Sequence, residues 1–269
     1  MKKSGGTTNK WLTIFALVFF AHVSSICASI RYGFLADAFE RKNVPGKVYG
    51  LIGTSMFLGF ALTYVFQVSE KFMRKWNSKT IMITNMLGWA IAALITGFAY
   101  RVPNTTVVVV ISFAMRIFQG FLAYPGCLVP VDFINANFRD EFDLVNGLLQ
   151  MGHFSGHGMA EVFGCLIYDK LGYEYAYSFS AIMALLAATV AFFFLPNTKT
   201  YLAMQDDLSD DDDETVKDID SEKTKLTKFL IFPLAAAMLI NANYGVIQVK
   251  QFLTSTYFTG SNYQLSDLH

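Results

Sequence analysis

Three titratable residues, His153, His157 and Glu161, follow one another at intervals of four residues. In a helix this spacing places the three side chains on roughly one face. The surrounding stretch, 144–168, is apolar and long enough to cross a bilayer, where ionisable groups usually face a protein interior or a watery cavity. Because burial favours a neutral carboxyl group and imidazole changes its charge near neutral pH, we predict that this face binds and releases protons. The alternative is that these three side chains only form hydrogen bonds or ion pairs between packed helices.

Glycines recur in the same apolar stretch. Small residues let the backbones of two membrane helices approach closely. We therefore predict that another helix packs against the glycines of this stretch, which are Gly147, Gly152, Gly156, Gly158 and Gly164.

Two arginines lie in other apolar stretches. Arg116 is followed one turn later by Gln119, so the two side chains are neighbours on a helix. We predict that Arg116 takes part in proton coupling and Gln119 in substrate binding. The alternative is that Arg116 has only a structural role, bonded to backbone carbonyls and to Gln119. Arg31, near the outer end of the first apolar stretch, is a candidate for binding substrate. Alternatively, its head group extends to the outer membrane interface.

A later apolar stretch contains two polar residues, Asn241 and Asn243, which we predict to line a substrate cavity. The spacing of His153 and His157 would suit two zinc ligands, but no third ligand lies nearby in the sequence, and we predict no metal site. We also predict no cofactor. The sequence shows no nucleophile–base set and no phosphate loop, which argues against an enzyme.

The composition is typical of a helical membrane protein. Of all residues, 54% are hydrophobic and only 16% are charged, whereas a soluble domain averages about 25% charged residues. No basic face with interleaved aromatic residues indicates nucleic-acid binding. Seven apolar windows have about the 20 residues that a helix needs to cross a bilayer. They lie roughly at 11–35, 48–69, 80–100, 106–130, 144–168, 175–195 and 229–249. The sequence therefore predicts an all-α, multi-pass integral membrane protein.

The connecting segments divide the chain into four predicted parts. They are a cytoplasmic tail (1–10), a six-helix transmembrane bundle (11–196), an acidic cytoplasmic linker (197–228), and the start of a second bundle with a seventh helix and an outer loop (229–269). Segments on the same side of the membrane as the N-terminus have more Lys and Arg than segments on the other side, which predicts a cytoplasmic N-terminus. The acidic linker cannot bury enough apolar area to fold, so we expect it to be a solvated tether. Because a new span begins and the chain then ends, we expect a truncated two-halved protein.

Two motifs resemble the major facilitator superfamily. The fourth window contains Arg116-Ile-Phe-Gln119-Gly120, which is similar to the family's RxxQG motif. The fifth window contains a stretch similar to the antiporter motif GxxxGPxxGG, with Ala, Glu and Cys in place of its second Gly, its Pro and its last Gly. This stretch reads Gly156-His-Gly-Met-Ala160-Glu161-Val-Phe-Gly164-Cys165. The connector at 70–79 takes the place of the family's basic loop. The resemblance, to the drug/proton antiporter branch and its vesicular amine transporter relatives, covers about residues 11–250.

The resemblance implies two six-helix bundles that hold a substrate between them and expose it alternately to each side. It further implies a proton-coupled antiporter of a small organic solute in a vesicle, another endomembrane or the plasma membrane. Its partners would be the lipid bilayer, a small organic ion, protons and the missing second half. Relatives that carry amines place an acid in the first span, whereas Arg31 has the opposite sign, which leaves organic anions or zwitterions open. The alternatives are a non-transporting fragment or short isoform of such a carrier, and a seven-helix receptor, which a cytoplasmic N-terminus argues against.

Overall fold

The computed structural model describes residues 10–65 and 75–199. These residues form six long helices and one short helix, with a 3-10 turn at Arg139–Glu141. The helices are α1 (Lys10–Ser29), α2 (Leu35–Glu40), α3 (Gly46–Val65), α4 (Ser78–Ala99), α5 (Thr105–Asn137), α6 (Phe142–Leu171) and α7 (Tyr173–Phe194). No strand occurs within these two ranges, and the all-α prediction is confirmed. The predicted seventh span, with Asn241 and Asn243, lies outside the described residues, as does most of the predicted linker.

Local sequence determines where several helices begin and end. The side-chain oxygen of Asn104 accepts hydrogen bonds from the backbone N–H groups of Thr106 and Val107, at 3.0 and 3.4 Å, and so caps α5. Gly172, with φ of 104°, is the single residue between α6 and α7. A side chain is strained in this backbone conformation, so glycine allows the chain to reverse within one residue.

Two of the predicted spans end at other places in the structure. The first was predicted to run to residue 35, but α1 ends at Ser29, and the chain turns before α2 begins. In this turn, a Cβ at Gly33 would lie only 2.2 Å from the Sγ of Cys165, so close packing against α6 sets the path of the chain. The fourth span was predicted to end at residue 130, but α5 continues to Asn137.

Helix α5 continues through two prolines, Pro125 and Pro130. Each proline lacks the N–H that would bond the carbonyl four residues earlier, which for Pro125 is the carbonyl of Phe121. The hydroxyl of Thr63 on α3 shares its proton between that carbonyl, at 3.2 Å, and the carbonyl of Gly59 in its own helix, at 2.9 Å. A neighbouring helix therefore supplies the hydrogen bond that the proline removes, as is common in membrane helices.

Four of the described helices have the dimensions of membrane spans. Helices α1, α4, α5 and α7 are each long and apolar enough to cross a bilayer by length and composition. Helix α6 is less apolar than these four because it carries the histidines, Glu161 and several glycines. Its polar and glycine positions lie partly against α1, where the protein rather than lipid surrounds them.

The helices pack as two interleaved triplets, α1-α3-α4 and α5-α6-α7. The most extensive contacts pair α1 with α6, α3 with α5, and α4 with α7, followed by α4 with α5 and α1 with α7. Suppose that α1, α3 and α4 change places with α5, α6 and α7, respectively. The α1–α6 pair then becomes the α5–α3 pair, and the α4–α7 pair becomes itself. The pairing thus has the pseudo-twofold pattern of an internal repeat. The core of the described bundle includes the large buried side chains Phe20, Trp89, Phe133 and Leu149.

Candidate functional site

Glycines on α6 bring its backbone directly against the backbone of α1. A Cβ on these residues would approach carbonyl oxygens of α1 to 2.7, 2.2 and 2.1 Å, which are impossible contacts. The pairs are Gly152 with Val18, Gly156 with His22, and Gly164 with Ile30. The prediction that glycines let another helix approach is confirmed at these three positions. At Gly147 and Gly158 a Cβ would meet nothing within 4 Å among the described residues, so no described helix packs closely against them.

Three histidine–serine hydrogen bonds follow the same interface. They join His22 Nδ1 to Ser155 Oγ at 2.9 Å, His153 Nδ1 to Ser25 Oγ at 2.8 Å, and His157 Nδ1 to Ser29 Oγ. The two α6 histidines therefore lie on one face, as their spacing predicted, and each contacts the serine in the corresponding turn of α1. Sequence reasoning missed the serines. The signal was available, because Ser25 and Ser29 are separated by four residues, as are the histidines that they contact.

Glu161 lies one turn beyond His157, where α6 passes the turn that follows α1. Its backbone carbonyl is close to Gly33, at 3.1 Å from the position of a Cβ there. Its side chain is exposed on the surface of the described bundle. The histidines are thus bonded to α1, and His157 and Glu161 are both exposed on the described bundle.

Arg31 and Arg116 meet at the backbone carbonyl of Ala28. Arg31 donates from Nη1 to this oxygen at 2.5 Å, and Arg116 donates from Nη2 to the same oxygen at 3.2 Å. Arg116 also donates from Nη1 to the Oε1 of Gln119 at 2.6 Å, so the predicted neighbours are in contact. Each arginine is only 3% exposed. The alternative in which the head group of Arg31 extends to the membrane interface is therefore wrong.

The position of the α1 C-terminus explains why the two arginines come together. Carbonyls in the last turn of a helix have no partner within the helix. Because α1 ends at Ser29, the carbonyl of Ala28 is one of these groups, and side chains from the following turn and from α5 can reach it. Because the apolar pattern continues to residue 35, the sequence does not show that the carbonyl of Ala28 has no partner within the helix.

The arginine pair is electrostatically unbalanced. Two guanidinium groups that donate to one carbonyl oxygen repel each other, because like charges in a low-dielectric site are poorly screened. Three buried guanidinium nitrogens of the pair have no hydrogen-bond partner among the described residues. They are Arg31 Nε, Arg31 Nη2 and Arg116 Nε. A buried donor without an acceptor costs about 1–3 kcal/mol. The pair can therefore gain considerable binding energy from a negatively charged acceptor.

A cavity of about 380 Å³ lies at the opposite end of α1, between Lys10 and Pro196. Lys10 forms an ion pair with Glu141 at 2.5 Å beside it, which joins the start of α1 to the start of α6. The cavity is remote from the arginine pair and from the α6 histidines. Across residues 10–65 and 75–199, no group of three His, Cys, Asp or Glu residues is arranged to hold a metal ion.

Comparison with known families gives one match. The sequence model described as Major Facilitator Superfamily matches residues 15–266. This range includes nearly all of the described residues and continues past the acidic run into the predicted seventh span. A search of curated proteins finds no match. The match is made at the level of the superfamily, so the drug/proton antiporter branch and the vesicular amine type stay predictions.

Proposed function

We propose that this member of the major facilitator superfamily, an integral membrane secondary transporter, exchanges a small organic solute for protons. Members of this family are transporters rather than enzymes. The proposed exchange proceeds by alternating access, in which a site between two bundles opens to each side in turn. The observation that carries the proposal is the row of titratable groups along the α1–α6 interface, ending at Glu161.

The histidine–serine pairs suit a path on which protons come and go. A neutral imidazole whose Nδ1 is unprotonated accepts a hydrogen bond from the serine hydroxyl. When Nδ1 is protonated, it donates to the same oxygen, because a hydroxyl group is both a donor and an acceptor. His153 and His157 can therefore change protonation state without losing their bonds to Ser25 and Ser29. A hydrophobic contact at the same place would not tolerate the added charge.

Glu161 is the proposed group that exchanges protons with the transport pathway. Its side chain is exposed on the described bundle, one helical turn from His157, so an incoming proton or substrate can reach it. We propose that its change of charge is coupled to the position of the second half of the carrier. Arg116 is the proposed cation that responds to this change, since it is desolvated and keeps its charge throughout.

Proton-coupled exchange can be tested with the purified carrier, including the second bundle that we propose below, in liposomes that have an acidic lumen. A pH-sensitive dye in the lumen would report proton efflux when solutes such as lactate, succinate or spermidine are added outside. We expect one class of solute to drive efflux, and we expect Glu161→Gln to reduce the rate at least about tenfold. The matched control is Asp169→Asn, an exposed acid on the same helix, which should transport at the wild-type rate.

Two outcomes would contradict the proposal. One is the absence of solute-dependent proton efflux with every member of the panel. The other is an unchanged rate in Glu161→Gln, since a proton-exchanging carboxylate cannot be replaced by an amide without loss of coupling. If efflux is lost equally in Asp169→Asn, the effect reflects the charge of the helix surface, and the assigned role of Glu161 is overturned.

We further propose that the N-terminus is cytoplasmic and that transport requires a second bundle, supplied by a longer chain or by another half. An epitope at the N-terminus should bind antibody only after the membrane is permeabilised. Binding in intact cells would reverse the proposed orientation. Fractionation of vesicles, other endomembranes and the plasma membrane would decide among the predicted locations.

A further inference from the structure

We infer that Arg31 and Arg116 together bind the carboxylate of a small organic anion, which is the substrate of the proposed exchange. The inference rests on the proposed function, and it adds the chemical class of the solute. Both guanidinium groups donate to the carbonyl of Ala28, one from the turn after α1 and the other from α5. The site thus joins one element from each helix triplet.

Buried donors without partners are the first observation behind this assignment. Both arginines are buried, and three of their N–H atoms have no hydrogen-bond partner within the described residues. One neutral carbonyl cannot balance two guanidinium charges. An anion between the two groups would satisfy the unpaired donors and reduce the repulsion at the same time.

The geometry of the donors favours a carboxylate. A guanidinium group is a planar fork that fits the two oxygens of a carboxylate, with two parallel N–H···O bonds. Arg31 uses one terminal nitrogen for Ala28, which leaves Nε and Nη2 on the other side of the group without partners. Gln119 accepts from Arg116 and keeps its guanidinium in place, so Gln119 is a positioning residue rather than a ligand.

The same charges argue against an amine at this position. A cationic solute would meet two buried positive charges, and Tyr32 is already occupied by the guanidinium of Arg31, which lies 4.4 Å from the centre of its ring. Specificity for anions would thus follow from repulsion of cations as well as from attraction.

The experiment measures thermal unfolding of the purified full chain in detergent with matched pairs of solutes. Lactate and succinate are compared with their neutral amides, lactamide and succinamide, and with inorganic phosphate and spermidine. We expect a carboxylate to raise the melting temperature and its amide to leave it unchanged. Arg31→Gln and Arg116→Gln should weaken binding of the protective carboxylate by roughly tenfold to a hundredfold.

Three further variants complete the design. Arg31→Lys keeps the charge but loses the fork, so it should bind with an affinity between those of the wild type and Arg31→Gln. It also provides a measurement if Arg31→Gln does not fold, which gel filtration would show. Arg41→Gln removes an exposed arginine that pairs with Asp37, and it should bind like the wild type. Gln119→Ala should weaken binding less than Arg116→Gln.

The inference is overturned if no carboxylate protects the protein, if the amides protect equally, or if phosphate protects as well as any carboxylate. It is also overturned if Arg31→Gln folds and binds like the wild type. Its failure can be told apart from that of the proposed function. Proton efflux driven by spermidine would support exchange but overturn the carboxylate site. Carboxylate protection that depends on Arg31, without any proton efflux, would support the site but overturn the exchange.

Discussion

The α1–α6 and α3–α5 interfaces occupy equivalent places in the two triplets, yet only the first combines close packing with a row of titratable groups. At the α3–α5 interface each helix contributes a glycine. A Cβ at Gly59 or Gly120 would lie 1.9 Å from the carbonyl of Ile117 or Met56. At the α1–α6 interface all of the closely packed glycines belong to α6, and α1 provides serines.

The difference shows that backbone contact and proton chemistry have separate sequence requirements. Both interfaces need glycine because each brings two backbones together. At α3–α5 the described side-chain hydrogen bond comes from Thr63, which satisfies the carbonyl freed by Pro125, a purely structural task. At α1–α6 the corresponding bonds come from histidines, which can change charge. The α3–α5 interface is therefore a natural control for experiments on the other.

The largest expected effect is shared by both interfaces. Gly120→Val and Gly156→Val would each place a side chain where only 1.9 or 2.2 Å is available to a backbone carbonyl. Each should destabilise the bundle by about 3 kcal/mol or more, since backbone atoms cannot move aside as a flexible side chain can. Thermal unfolding in detergent would measure the loss. Wild-type stability of either variant would show that its helices are not in contact.

The next prediction distinguishes the two interfaces by function. His153→Ala removes the partner of the buried hydroxyl of Ser25, and Thr63→Val removes the donor to the carbonyl of Phe121. Each should cost about 1–3 kcal/mol of stability, because each leaves a buried polar group unpaired. Only His153→Ala should also alter the pH dependence of proton efflux in liposomes. An equal change in Thr63→Val would remove the proposed distinction.

A smaller effect of opposite sign is expected at the glycines of α6 that face open space. Gly147→Ala and Gly158→Ala should stabilise the protein by about 0.5–1 kcal/mol, since alanine restricts the unfolded chain and has room in the folded helix. The same melting experiment would measure the gain. A loss comparable to that of Gly156→Val would mean that another surface packs against these positions.

The smallest expected effect lies outside both interfaces. Arg101, in the connection between α4 and α5, donates to the carboxylate of Glu174 at 2.5 Å, and its side chain is largely exposed. An exposed ion pair contributes little to stability, and dissolved salt screens what it contributes. Arg101→Gln should therefore melt slightly below the wild type at low ionic strength, and the two proteins should converge in concentrated salt. A difference that persists in concentrated salt would contradict this assignment.

Some features of the molecule could be predicted from local sequence. Apolar windows of the right length identified all six long helices, because this signal needs no knowledge of neighbouring elements. The four-residue spacing of His153 and His157 identified the face that contacts α1. The pairing of Arg116 with Gln119 also followed from helical spacing alone.

Other features depend on contacts between distant elements. The end of α1 at Ser29 and the meeting of Arg31 with Arg116 require that the chain turn tightly against α6 at Gly33. The continuation of α5 beyond Pro125 requires a hydroxyl from α3. Local patterns carry no information about such partners, so sequence reasoning ended one helix too late and another too early.

The interleaving of the two triplets has a consequence for how the protein is made. Each of the five most extensive helix pairings joins a member of α1-α3-α4 to a member of α5-α6-α7. When only the first three long helices have been synthesised, none of the five principal helix pairings can therefore form. Until α6 and α7 are inserted, these early helices remain in the membrane without their main packing partners. During this time Ser25 and Ser29 of α1 lack the histidines to which they bond in the folded protein. Insertion machinery or a chaperone that shields Ser25 and Ser29 during this interval would protect the nascent chain from degradation.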